Sequence, residues 1–536
     1  MHSTALLLKR SLYNGFLIPV IHFILIAIIA SRFHLLADCD ATNHYFSGID
    51  IFRGNGYNGW ASHFWPPLFP VLIGLLAKVA PAFEAIKLIS TVASALLLLV
   101  VYKYVLWLVG SRTAAWVAQL LTVTNFLFLQ LSVQIENHML DSLWYILAVF
   151  LLLRYLENGS WQKFLLAGIV CGLAGLTRYT SYALLPAFMI IMFFFYPFKR
   201  AAWYAGCILL GFAIVSAPWW IVNYRVNGSP FATWQYMNIG LGVFSNSETR
   251  WSWSWSGIDQ FNSVADVFLY APGKYIANFC YNVAKSMGLI LYRGQLLGCF
   301  CIAALFVYSR LHYKSVVSWL RSSMFLPLGI IFVCYLVLVS QAFVFGEVYL
   351  SWYILLIIYG TFAGYKLWPL LYRLKPASKK ALINLVLLAA FLDIGYAAWQ
   401  LKGYLYNTRG IEENAQVMAA LRQQDQDISD KILMCFHPAR AYHLGTKFLM
   451  LPLYYTGDLN GLVTYQHMSR KVREQASRFP CTMDVNHVKA DYLVYDPLAM
   501  LCLPQFSFLL HAGDPRIPRN FQLVYLSAKV AVYKIY

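Results

Sequence analysis

Charge is scarce in this sequence. Only 12% of its 536 residues are Asp, Glu, Lys or Arg, against about 25% in an ordinary soluble protein. That shortage, with 60% hydrophobic residues, excludes a soluble globular chain. The ten cysteines form no CxxC pair and no metal-ligand spacing, which removes zinc-ribbon and dithiol redox chemistry. GxxxxGK[ST] and a dinucleotide fingerprint are both missing, so ATP-driven transport has no visible motor. Internal repeats are missing too, and many secondary transporters are built from them.

What is present is a series of apolar runs from Gly15 to Trp399, each near the roughly 20 residues that cross a hydrocarbon core of about 30 Å. The chain reads as a polytopic α-helical membrane protein. Its net charge of +18 does not point to nucleic acid, because the Lys and Arg residues lie between the apolar runs. Lys9 and Arg10, Lys103 and Arg112, Arg154 and Lys163, Lys199 and Arg200, the Arg310 to Arg321 group and the Lys366 to Lys380 group fall in alternate loops. The positive-inside rule makes those loops cytoplasmic. The alternation requires that LFPVLIGLLAKVAP, 68 to 81, does not cross; it is too short and ends at a proline. About eleven spans result, with cores at 13 to 30, 86 to 108, 114 to 132, 138 to 155, 163 to 177, 180 to 197, 203 to 221, 286 to 308, 325 to 345, 349 to 366 and 381 to 400.

A transmembrane domain over 1 to 400, with outer loops 31 to 85 and 222 to 285, is therefore expected to precede a soluble domain over 401 to 536 outside the cytoplasm. Within that tail KILMCF, ADYLVYD and FQLVYLSAKVAVYKI read as strands and 411 to 424 as a helix, an α/β pattern. Cys435, Cys481 and Cys502 lie there, and three cysteines permit a disulfide without saying which pair.

On this topology several ionisable residues share the outer face: Asp38 and Asp40 at the start of the first loop, Glu136 with Asp141 one turn deeper, Arg178 and Glu347. Charges at a membrane edge are costly, and a group gathered on one face marks a site. Asp50 reads instead as a solvated acid on an amphipathic loop helix. His437 and His443 show no third ligand for a metal.

The segments around these residues resemble the lipid-phosphate-sugar-dependent glycosyltransferases of the GT-C fold, in the bacterial branch related to protein mannosyltransferases and the lipid A aminoarabinose transferase. Asp40, His44 and GNGY at 54 to 57 match the family's first-loop pattern, with His44 where Tyr is usual and Ala41 where a second acid is common. WPPLFPVLIGL (65 to 75), SVQIENHML (132 to 140), AGLTRY (174 to 179) and APWWIVNYRVNGSPF (217 to 231) resemble later family segments in the same order. GEVYLSWYILL, 346 to 356, is a looser likeness.

The resemblance implies transfer of a monosaccharide from a polyprenyl-phosphate donor to an acceptor at the outer face, with inversion by direct displacement. Asp40 would be the base, with Glu136 and Asp38 as further acids, and Glu136 is favoured over Asp141. Arg178 would hold the donor phosphate through its fork of donors, helped by His44, Arg225, Arg250 and Lys274. The tryptophans of TRWSWSWSG, 249 to 257, would stack on sugars or line the membrane surface. Expected partners are the polyprenyl-phosphate sugar, membrane lipids and a glycolipid, polysaccharide or protein acceptor, with no nucleic acid. The expected place is a bacterial inner membrane. No cofactor is implied, and dependence on a divalent metal is left open. The competing readings are a transporter or flippase, which forms no glycosidic bond, and an O-antigen ligase or polymerase type of GT-C enzyme, which takes a diphosphate-linked oligosaccharide.

Overall fold

The computed structural model describes residues 15–32, 39–57, 64–79, 82–134, 136–246, 256–257, 259–313, 322, 324–342, 344–373, 375–405, 409–476 and 478–536. The apolar runs are helices, the form in which a segment pairs its own backbone groups where water is absent. In chain order they are α1 (Leu17–Arg32), α2 (Cys39–Arg53), α3 (Leu68–Leu76), α4 (Ala82–Val109), α5 (Arg112–Val123), α6 (Phe126–Val133), α7 (His138–Glu157), α8 (Trp161–Thr177), α9 (Leu184–Phe195), α10 (Phe198–Asn227), α11 (Pro272–His312), α12 (Phe325–Val339), α13 (Leu350–Leu371) and α14 (Pro376–Leu405).

Six of these, α4, α7, α10, α11, α13 and α14, contain stretches long and apolar enough to cross a membrane, and α5 with α6 makes a seventh, bent by 68°. Four shorter apolar helices remain: α1, α8, α12 and the stretch Tyr179–Phe195, which joins a 3-10 turn to α9. Counted as crossings together they number the eleven expected; length and composition alone qualify six or seven. Nine-residue α3 is only about 13 Å long and is too short to cross. It packs on α2 instead, and two glycines permit the contact. A Cβ on Gly48 would stand 2.5 Å from the Pro70 carbonyl, and one on Gly74 would stand 2.4 Å from the Gly48 carbonyl.

The bend between α5 and α6 falls at Asn125, whose Oδ1 accepts from the Phe128 N–H at 3.1 Å and caps α6. The expected span at 286 to 308 is part of a longer helix. α11 starts at Pro272 and contains a break, with Gln295 at φ 58° and ψ −162°. The bundle core is made by α4, α7 and α13, through fully buried Leu97, Val101, Ile146, Val149, Ile354 and Ile358. On α14, Leu387 and Phe391 are exposed, as apolar side chains facing lipid would be.

After α15 (Arg409–Gln424) comes a six-stranded sheet. Its strands are β1 (Ile432–Cys435), β2 (Lys447–Met450), β3 (Arg478–Phe479), β4 (Tyr492–Tyr495), β5 (Phe521–Leu526) and β6 (Ala531–Ile535), in the order β3-β2-β1-β4-β6-β5. β1 runs parallel to β2 and β4, while β3, β5 and β6 pair antiparallel. All three strand segments read from the sequence are strands, the last being the β5–β6 pair. Burial on both faces explains why β4 reads as an unbroken run: all four of its residues are buried. Cys435, Cys481 and Cys502 are all buried.

This sheet region shares its core with the first loop and the 222 to 285 loop, through Phe64, Tyr236, Met237, Phe261 and Val267. It also holds α2. The Phe46 and Phe479 rings stack at 4.1 Å, Tyr45 meets Tyr442 edge-on at 4.8 Å, and Asp50 Oδ2 accepts from the Cys481 N–H at 2.7 Å. Asp50 is thus only 2% exposed, with Oδ1 accepting from Asn55 Nδ2 at 2.7 Å. The expectation that it faces water is corrected: that face of α2 is covered by a part of the chain about which the local pattern carries no information.

Candidate active site

The site is built where α7 begins and α8 ends. α8 stops because Arg178 takes extended backbone angles, φ −148° and ψ 137°, before the 3-10 turn Tyr179–Ala183. Its guanidinium Nη1 donates to Asn137 Oδ1 at 2.6 Å. Asn137 Nδ2 donates to the Thr177 carbonyl at 3.2 Å, so the amide is oriented by the helix end that it meets.

On either side of Asn137 stand a carboxylate and an imidazole. Glu136 Oε2 lies 2.7 Å from His138 Nε2, and Gln134 Nε2 donates to Glu136 Oε1 at 2.5 Å. His138 Nε2 is also 3.5 Å from Arg178 Nη1. A guanidinium only donates, so the short contact to Glu136 requires the imidazole N–H to point at the carboxylate, away from Arg178.

One turn deeper on α7, Asp141 is 8% exposed and its Oδ1 accepts from Ser181 Oγ at 2.5 Å. His138 and Asp141 are three apart and therefore share a helix face. Arg178 and Ser181, also three apart, reach them from the α8 side. One end of the bundle thus holds two carboxylates, an imidazole and a guanidinium, an arrangement able to bind an anion and to handle a proton.

His44 joins this group from α2. It is 2% exposed, with its ring 4.3 Å from Trp65 and 5.2 Å, edge-on, from Phe69. Burial above all, then the positive charge of Arg178 and the neighbouring His138, lower its pKa to about 3. α2 lies between the first two apolar runs, and its His44 is a neutral imidazole at physiological pH. Its Nδ1 is buried with no hydrogen-bond partner among the described residues.

Asp40 is in the first turn of the same helix, one turn before His44, and is exposed. Arg225, near the end of α10, and Lys274, in the first turn of α11, are exposed as well; no hydrogen bond or ion pair among the described residues joins either of them to Arg178. Asp38, Arg250 and the tryptophans at 251, 253 and 255 lie outside the described residues. Among the described residues no group of three or more His, Cys, Asp or Glu is arranged to hold a metal ion.

The structure therefore brings together Glu136, Arg178 and His44 from the expected set. The sequence reading did not identify Asn137 and His138 as the bridge between Glu136 and Arg178. Their signal was their position within SVQIENHML, beside the acid. Asp141, set below Glu136 at the sequence level, is the more buried of the two.

Residues 65–221 match a family model described as dolichyl-phosphate-mannose-protein mannosyltransferase. No curated protein matches the chain by sequence. Among solved structures, the Archaeoglobus fulgidus oligosaccharyltransferase tethered to an acceptor peptide is similar at 12% identity and TM-score 0.55, covering 89% of this chain and 69% of its own. ArnT from Cupriavidus metallidurans, bound to undecaprenyl phosphate, is similar at 12% identity and TM-score 0.54, covering 96% of this chain and 97% of its own. At such identities the structural likeness speaks for the fold, and the matched family model for the class of enzyme. The chain is a membrane glycosyltransferase with the GT-C fold and a mannosyltransferase-type segment over residues 65–221.

Proposed function

We propose that this glycosyltransferase takes a monosaccharide from a polyprenyl-phosphate donor and places it on an acceptor hydroxyl at the outer face of the membrane, with inversion. The observation that carries this reading is the Glu136, His138 and Arg178 group at one bundle end, with buried His44 beside it. The binding of undecaprenyl phosphate by the structurally similar ArnT supports a lipid-phosphate donor.

A sugar on a phosphate already carries a good leaving group, so two tasks remain. The acceptor hydroxyl must lose its proton, and the departing phosphate must be stabilised. Asp40 takes the proton as the acceptor oxygen bonds to the anomeric carbon. The bond from that carbon to the phosphate oxygen breaks, and its electron pair leaves on the lipid phosphate beside Arg178. The Asn137 contact holds the guanidinium in place, so little ordering is required when the phosphate arrives. Glu136 and Asp141 supply further negative charge next to the developing positive charge of the sugar. Asp38 stays a candidate acid beside Asp40, and Arg225, Arg250 and Lys274 stay candidates for the loop side of the donor site.

Membranes containing the protein, supplied with radiolabelled polyprenyl-phosphate sugars, should transfer label to an acceptor. Asp40→Asn should lower transfer about a hundredfold, the scale of a general base, at unchanged protein abundance and donor affinity. Arg178→Ala should lose more activity than Arg178→Lys, which keeps the charge but not the fork. Full turnover in Asp40→Asn at saturating substrates would remove it as the base, and unchanged donor affinity in Arg178→Ala would remove that residue from the phosphate site.

A further inference from the structure

At the end of the bundle opposite the candidate active site, α4, α7 and α9 end and α12 begins around a cavity of about 400 Å³. The helix α7 sets the distance between the two places. It begins at His138, and its last residue, Glu157, lines the cavity, about 29 Å away along the helix axis. The walls are apolar: Trp107 from α4, Leu153 and Leu156 from α7, Phe195 from α9 and Phe362 from α13. Tyr359 of α13 also lines it, and its hydroxyl lies 3.0 Å from that of Tyr104, so its polar end is already paired. Glu157 is the one charged residue in the lining.

A cavity of this size falls in the range of ligand pockets, about 300–1,000 Å³, and far exceeds the voids that close packing leaves. Water would fill it poorly, since each buried molecule needs two to four polar partners and these walls offer few. An alkyl chain suits them. The depth agrees. From Lys366, whose ammonium lies 5.8 Å from the Phe362 ring, to Tyr359 is seven residues of α13, about 10 Å. That is a third of a hydrocarbon core of roughly 30 Å, so the cavity is a pit at the membrane edge and not a passage through the bundle.

Charge at the rim selects the headgroup. Glu157 is exposed, and it makes no hydrogen bond or ion pair among the described residues. Its nearest cations in sequence are engaged elsewhere: the Arg154 guanidinium lies 5.9 Å from the Phe150 ring, and Lys163 Nζ donates to the Asn158 carbonyl at 2.7 Å. The carboxylate is therefore ready to accept from an ammonium, and Lys366, over the Phe362 wall, offers the opposite charge to a phosphate. An anionic headgroup would find cations all around this end, where Lys103, Arg112, Lys199 and Arg200 also lie. Only an amine makes use of Glu157.

We propose that this cavity is a lipid site for phosphatidylethanolamine, with one acyl chain between α4, α7, α9 and α13, the ammonium at Glu157 and the phosphate toward Lys366. The site takes no part in sugar transfer, since it lies at the other end of α7 from Glu136, His138 and Arg178. The headgroup is distinguished by its N–H donors. A choline ammonium has none to give the carboxylate, and a glycerol headgroup carries no positive charge.

The test uses the full-length protein in mild detergent and measures, by native mass spectrometry, its retention of phosphatidylethanolamine, phosphatidylcholine and phosphatidylglycerol with matched acyl chains. Phosphatidylethanolamine should be held about tenfold more tightly than the other two. Glu157→Gln should remove most of that preference. Leu156→Trp, which puts bulk into the cavity, should lower retention of phosphatidylethanolamine while the protein stays monodisperse. Glu157 is exposed at a helix end, so its variant leaves the packing intact, and the headgroup comparison decides the matter even if Leu156→Trp does not purify. Equal retention of the three lipids by the wild type, or an unchanged preference in Glu157→Gln, would overturn the headgroup assignment. Undiminished retention in monodisperse Leu156→Trp would show that the lipid sits elsewhere. Displacement of phosphatidylethanolamine by undecaprenyl phosphate would give the cavity to the carrier tail and refute the amine lipid.

Discussion

His44 shows how much of a side chain's state is set by what folds around it. It lies near Arg178 and His138 as a buried neutral ring against Trp65 and Phe69. Its folded pKa of about 3, lowered from 6.5 by burial first and then by Arg178 and His138, gives the sign of a pH effect. The unfolded chain binds the proton more readily, so the contribution is fully present above pH 6.5 and is lost as pH falls toward 3. The slope is about 1.4 kcal/mol per pH unit, or roughly 2 kcal/mol between pH 6.5 and 5. His44→Gln, which does not titrate in this range, should therefore lose less of its thermal midpoint than wild type between pH 7 and pH 5. Equal losses in the two proteins would show that His44 is not buried in this way. Between pH 6 and 8 His44 should also contribute no limb to the activity profile, because it stays neutral throughout.

At the scale of an element, α2 connects two parts of the chain. Its first turn carries Asp40, and its later turns pack on α3 and on the sheet region through Phe46 and Asp50. Asp50→Ala would leave the Cys481 N–H without its acceptor, a loss of about 1–3 kcal/mol. The expected result is faster limited proteolysis near residues 478 to 490 and lower turnover, with the bundle still extracting as a monodisperse protein. Asp50→Asn, which keeps an oxygen for the N–H, should fall in between. Wild-type proteolysis in Asp50→Ala would mean that the Phe46 and Phe479 stack holds the sheet region by itself. The helix ends at Glu136 and Arg178 are legible in the sequence because hydropathy and length mark where a span stops. The contact across them is not, since Asn137 and Arg178 are 41 residues apart.

For the whole molecule, the alternation of basic loops makes an orientation test possible. A reporter active only outside the cytoplasm should work when fused after Tyr536 or within the 222 to 285 loop, and should be silent between Lys375 and Lys379. The reverse pattern would place Glu136, Arg178 and the sheet region on the cytoplasmic side and would end the reading of an outer active site. By itself, the sequence determined the membrane class, the order of the apolar helices, the inability of α3 to cross and four of the six strands of the C-terminal sheet, β2 and β3 being left to the structure. Those follow from run length, charge placement and local periodicity, which neighbouring residues express together. Only the tertiary structure decided that Arg178 meets Asn137, 41 residues away, that Asp50 is sealed by a backbone N–H 431 residues away, and that Gln295 interrupts a helix against Asn125. Each depends on which surfaces meet after folding, and hydrogen bonds between such distant groups leave no periodic trace along the chain.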